Sequence, residues 1–181
     1  MKRTLLIVGA IVVVAGLTLG LLLFKPWLLF VDVRVDDALP TTTQPTELPT
    51  PDPTATAEPE PAGPIVLASG TFTSHEHETS GSVSIVEQPD GSRVLAIAGL
   101  DTSNGPDVHV WLSASDVVEG FDGWFVAGGA PYLDLGLIKG NLGDQVYEIP
   151  PDADLSQYRS VALWCVQFSV SFGAAQLAAA G

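Results

Sequence analysis

Residues 4–24 form an uncharged apolar run, and nothing else in the chain constrains its fold as tightly. Wound as a helix, about 20 such residues extend roughly 30 Å, the thickness of a bilayer's hydrocarbon core. Lys2 and Arg3 precede the run. Lys25, Pro26 and Trp27 follow it, the charge, break and aromatic ring expected where a span meets headgroups. The apolar character resumes over 28–31. With basic residues gathered ahead of the run, the pattern predicts a cytoplasmic N-terminus and an extracytoplasmic remainder, anchored in the cell membrane by a single pass. A cleaved secretory signal is the competing reading, but the run is long for one and no A-x-A cleavage site follows it. No cysteine stands directly after it either, which excludes a lipoprotein anchor. The expected organisation is a cytoplasmic tip and membrane anchor over 1–31, a tether over 32–64 and a folded domain over 65–181.

The tether is read from composition. Residues 38–64 interleave prolines (Pro40, Pro45, Pro49, Pro51, Pro53, Pro59, Pro61, Pro64) with threonines and the acids Glu47, Asp52, Glu58 and Glu60. Such a stretch cannot bury a core and is expected to be disordered. Proline biases it towards polyproline II, at about 3.1 Å per residue, so a fully extended tether would hold a domain tens of Å from a membrane. Thr and Pro together also suit an O-glycosylated stalk.

Beyond residue 64 no apolar period of 3.6 is sustained. Short alternating runs stand between turn residues, over 82–87, 93–98, 108–112, 133–138, 145–149 and 160–172. This predicts an all-β fold, a small antiparallel β-sandwich or barrel-like domain. The chain carries 21 acidic against 7 basic residues, a net charge of -14. That balance excludes a nucleic-acid partner, which requires clustered Lys and Arg. It also argues against electrostatic binding to anionic lipid. The remaining partners are the membrane, through the N-terminal helix, and an envelope redox or surface protein.

Four groups of residues are candidates for chemistry. Cys165 is the only cysteine. A redox or ligating cysteine acts as thiolate and needs exposure and a neighbour that lowers its pKa, whereas a free cysteine is most often a small core hydrophobe. If 160–172 were one unbroken strand, Ala162, Trp164, Val166, Phe168, Val170 and Phe172 would face the core. Cys165 would then lie where the other face changes from apolar to polar. His75 and His77, on one side of an extended His-Glu-His-Glu tract, could hold a transition metal, with His109 the remaining imidazole. Asp107, His109 and Trp111 share the face opposite Val108, Val110 and Leu112, where His109 and Trp111 could line a cofactor site and His109 could ligate haem. Trp111, Trp124 and Phe125 are candidate anchors for a recognition surface. No nucleophile elbow, P-loop or zinc-protease motif is present.

Several blocks in order carry a resemblance. They are Gly105-Pro-Asp-Val-His-Val-Trp-Leu-Ser113, Leu133-Asp-Leu-Gly-Leu-Ile-Lys-Gly140, Gly143-Asp-Gln-Val-Tyr-Glu-Ile-Pro150, Tyr158-Arg-Ser-Val-Ala-Leu-Trp-Cys165 and Phe168-Ser-Val-Ser-Phe-Gly-Ala174. With Gly70-Thr-Phe72, His75 and Gly81 ahead of them, they resemble the DM-thirteen domain, a family described as electron transfer. The resemblance implies a compact extracytoplasmic β-domain. It also implies a redox role centred on Cys165, acting as a thiol or as the attachment of a prosthetic group such as haem. The functions expected are therefore membrane-anchored electron transfer, then a non-catalytic cell-surface recognition or adhesion module, then a metal-binding domain.

Overall fold

The computed structural model describes residues 2–41 and 63–180. Residues 42–62, the greater part of the expected tether, lie outside the described residues. The apolar run is helix α1 (Lys2–Phe24). Its large apolar side chains from Leu6 to Phe24 are exposed. By length and composition it is apolar enough to cross a membrane. Pro26 has no N–H to continue the ladder and disfavours α geometry at the residue before it. Lys25 accordingly turns into the left-handed region (φ 42°), its N–H closing on Leu21 O at 2.9 Å. A short 3₁₀ turn, Pro26–Phe30, follows.

The rest is β. In chain order the strands are β1 (Arg34–Asp36), β2 (Ile65–Ser74), β3 (Ser80–Glu87), β4 (Arg93–Asp101), β5 (Val108–Ser113), β6 (Tyr132–Leu137), β7 (Leu142–Ile149), β8 (Ser160–Cys165), β9 (Val170–Gln176) and β10 (Ala178–Ala179). They form one curled, half-barrel sheet in the order β1-β7-β4-β3-β2-β9-β8-β5-β6, with β10 beside β2. The curl passes through β2, whose first part pairs with β3 and whose last three residues pair with β9. All pairings are antiparallel except β1 with β7, which makes the sheet mixed. Alternation works as read on β5. Val108, Val110 and Leu112 enter the main core, while Trp111 joins a smaller cluster on the other face with Ala127, Ala162, Trp164 and Ala174.

Two expectations change. The run 160–172 is a hairpin. Val166–Ser169 turn the chain, with Ser169 at φ 54° and Val166 N–H bonded to Asp107 O at 2.9 Å. Cys165 then pairs with Val170 across the hairpin. The phase of the predicted strand therefore ends at Cys165. Val161, Leu163 and Cys165 face the main core, and Val166 and Phe168 stand exposed at the tip.

The second change concerns the start of the tether. Arg34–Asp36 form an edge strand on the domain itself. The docking is specific. Asn141, 2% exposed, accepts Val33 N–H at Oδ1 (2.7 Å) and donates through Nδ2 to Asp32 Oδ1 (2.9 Å) and Thr102 O (2.9 Å). Asp37 accepts from Lys139 Nζ and from Val146 N–H, the latter at 3.0 Å. Lys139 holds the Asp37 carboxyl below its usual pKa. Two glycines make the approach possible. A Cβ at Gly140 would fall 2.3 Å from Val33 O, and one at Gly143 (φ 92°) would fall 2.1 Å from Val35 O. Only a residue without a side chain fits such contacts.

Candidate functional site

Strands β5 and β8 run side by side, His109 opposite Trp164 and Trp111 opposite Ala162. Directly opposed residues share a sheet face, so both tryptophans lie on the face turned away from the main core. Tyr132, from the start of β6, stacks on Trp111 with centroids 3.6 Å apart and planes 6° off parallel. On the Trp164 side the separation is 5.2 Å and the angle 22°. The three rings form a ladder, Tyr132–Trp111–Trp164.

The loop between β5 and β6 makes two 3₁₀ turns, Phe121–Phe125 and Ala127–Gly129, that come down over this ladder. A Cβ at Gly128 would fall 2.5 Å from the Trp164 ring, so the loop lies on the indole without a side chain between them. Together they enclose an open cleft of about 470 Å³ lined by Trp111, Phe125, Gly128, Gly129, Tyr132, Trp164, Val166 and Ser169. Trp111 is only 5% exposed and its Nε1 is buried, with no hydrogen-bond partner among the described residues. An unmade indole hydrogen bond in a buried setting costs about 1–3 kcal/mol, and this nitrogen is closed off from the cleft.

His109 sits on the same face, between two carboxylates. Nδ1 lies 2.9 Å from Asp134 Oδ2, and Nε2 lies 3.2 Å from Asp107 Oδ1. His75 is tied as well, Nδ1 to Ser171 Oγ at 2.9 Å and Nε2 to Val118 O at 3.1 Å. The second contact requires the proton on Nε2, because a carbonyl only accepts. His77 does not lie beside His75 on an extended face. The tract bends, His75 and His77 N–H both reaching Phe172 O, and the His77 ring tilts against Phe172 at 3.9 Å and contacts Glu76. Desolvation lowers the pKa of both His75 and His77. Among the described residues no three His, Cys, Asp or Glu side chains converge to hold a metal ion.

Cys165 is the last residue of β8 and is 0% exposed. Burial pushes its thiol pKa up. Backbone groups of Phe168, Asp107 and Gln167 oppose that shift, and the Asp107 charge reinforces it. Thiolate chemistry needs the opposite environment.

Residues 71–177 match the family model described as Electron transfer DM13. That span is more than half of the chain. The chain belongs to the DM13 family. No curated protein and no solved structure matches it. The DM13 span takes in β3 to β9 and the last four residues of β2, with α1, β1 and β10 outside it.

Among the described residues of this DM13 domain no imidazole or thiol lines the Trp111 cleft, so that cleft does not fit a haem. Both ring nitrogens of His109 and of His75 have protein partners, Nε2 of His77 is at Glu76, and Cys165 is enclosed. An axial ligand needs a free donor atom aimed at open space. Of the residues singled out in the sequence, the fold brings His109 and Trp111 to one face and sets His75, His77 and Cys165 elsewhere. Tyr132, Trp164 and Gly128 were missed. Trp164 was assigned to the core by the unbroken-strand phase, and Tyr132 was hidden behind Pro131 at the head of β6.

Proposed function

We propose that the chain is a membrane-anchored, extracytoplasmic electron-transfer domain whose working surface is the Tyr132–Trp111–Trp164 cleft. Membership of the DM13 family supports the electron-transfer role. Helix α1, apolar on every side, supports the anchor, and the basic residues ahead of it support the topology. The observation that carries the site is the three-ring ladder in the wall of an open cleft, with Tyr132, 48% exposed, as its accessible end. Such a wall suits the flat face of a conjugated redox carrier. Stacking on the exposed Tyr132 ring supplies the affinity. In this reading Cys165 belongs to the core and packs beneath the site.

The test is titration of the full chain in detergent with a flavin mononucleotide and with a short-chain naphthoquinone, read by tryptophan quenching. Saturable binding is expected, weakened about tenfold by Tyr132→Ala, since one aromatic contact is worth about 0.5–1.5 kcal/mol. A folded chain that binds neither compound refutes the reading. A second reading, surface recognition without electron transfer, is favoured by Phe121 and Phe125, 66% and 47% exposed beside the cleft. Of the three expected anchors Phe125 is exposed, whereas Trp111 is buried and Trp124 packs partly on the core.

A further inference from the structure

We propose that the β-domain is seated directly on the bilayer, with the β8–β9 turn entering the membrane interface beside the exit of α1, and that the length of 42–62 does not set the domain's height. The proposal rests on reading α1 as a membrane span.

The seat is built from contacts on both sides of the helix end. Gln167 Nε2 donates to Leu23 O at 2.8 Å, and Phe168 stacks on Phe24 with centroids 5.8 Å apart and planes 6° off parallel. Leu23 and Phe24 are the last two residues of α1. If the helix spans the hydrocarbon, its final turn lies at the boundary with the headgroups, and Phe168 is held at that same depth. Val166 and Phe168 are 42% and 46% exposed there, and Trp27 and Phe30, in the turn that follows α1, are exposed as well. This is the apolar and aromatic composition that partitions into the interface. The patch is continuous with the span, which identifies lipid as its occupant.

The chain past the helix leaves no slack for a stalk. Asn104 Nδ2 donates to Val31 O, Asn141 grips Asp32 and Val33, and β1 begins at Arg34. The Pro/Thr-rich stretch thus leaves the domain after β1 and returns to it at β2. Lengthening it lengthens a loop whose two ends are both fixed to the sheet. Attraction to acidic lipid is not needed, and a net charge of -14 would oppose it.

The test uses the full chain in phosphatidylcholine vesicles, first checked by flotation. A fluorophore is placed at Gln167→Cys, with Val166→Cys as a second position in case the Gln167 bond is required for folding. The reference is Asp90→Cys in the β3–β4 turn. Asp90 lies past the Arg93 end of β4, roughly 25 Å along that strand from Asp101. The turn label should be shielded from aqueous iodide and quenched by nitroxide lipids, within roughly 10 Å of the headgroup boundary. The Asp90 label should show the reverse. Duplicating 42–62 should change neither. Equal iodide access at the two sites, or a turn label that gains access when the loop is duplicated, overturns the seating while leaving the anchor intact. A chain that does not float overturns both.

Discussion

Cys165 decides between a thiol centre and a core residue, and its alkylation rate can be worked out in advance. To meet a reagent, the β8–β9 turn must open. The smallest such opening breaks the Cys165–Val170 pair and the Val166 N–H bond to Asp107 O. It exposes two enclosed side chains at about 1.5–3 kcal/mol each and loses a backbone hydrogen bond worth about 1 kcal/mol. The total is at least about 4 kcal/mol, or a thousandfold protection when opening is rapid. The raised pKa has the same cause, burial, and is relieved in the opened state, so it adds no further factor. The assay compares iodoacetamide labelling of the folded chain and of the chain in urea, at one pH and reagent concentration. A folded rate within tenfold of the unfolded one would refute the reasoning and restore Cys165 as the chemical centre.

Other outcomes follow from the same structure. Trp111→Phe keeps a ring in the ladder and deletes an unpaired N–H, so its unfolding free energy should stay within about 1 kcal/mol of the parent, whereas Trp111→Ala should cost about 3–5 kcal/mol in a urea titration. Gly143→Ala places a Cβ against Val35 O at positive φ, and should cost more than about 1 kcal/mol and speed amide exchange at Asp37, whose N–H is bonded to Asp144 O. For pH, burial lowers the pKa of His75 and His77 from 6.5. The unfolded chain therefore takes up protons first, and stability is full above pH 6.5 and declines as pH falls below it. The urea midpoint should drop between pH 7.5 and 5.5, and the drop should shrink in His75→Gln and His77→Gln.

The sequence was most legible where one strand buries one face. Val108, Val110 and Leu112 could be assigned to the core because alternation on β5 is unbroken, and the opposite face followed, with His109 and Trp111 on it. Periodicity failed at the β8–β9 hairpin because the turn contains no Gly or Pro. Val166 and Phe168 continue an apolar rhythm through it, and the only local mark is Ser169 in the left-handed region. That turn fixes the environment of Cys165, so an error of phase became an error about the site. β1 was illegible for another reason. Three residues with a polar–apolar–polar pattern carry little signal, and their partner on β7 lies over a hundred residues away, from Arg34 to Leu142. Gly140 and Gly143 were visible in the sequence, but a glycine does not announce which backbone will approach it. The bend at His75–His77 was likewise set by Phe172 O, a distant carbonyl.

The parallel strand β1 also bears on what proteolytic shedding would do to this protein. A cut within 42–62 would leave β1 joined to α1 and β7 within the freed piece. The two would still be held by a strand ladder, the Asn141 contacts and the Asp37–Lys139 pair. Release would then take two steps, a nick followed by dissociation of a strand. Once free, the domain would present the edge of β7 that β1 had covered, an open row of backbone donors and acceptors ready to pair with another chain. The anchor segment thus acts as an intramolecular edge guard, and a shed domain would be more prone to self-association than one still attached.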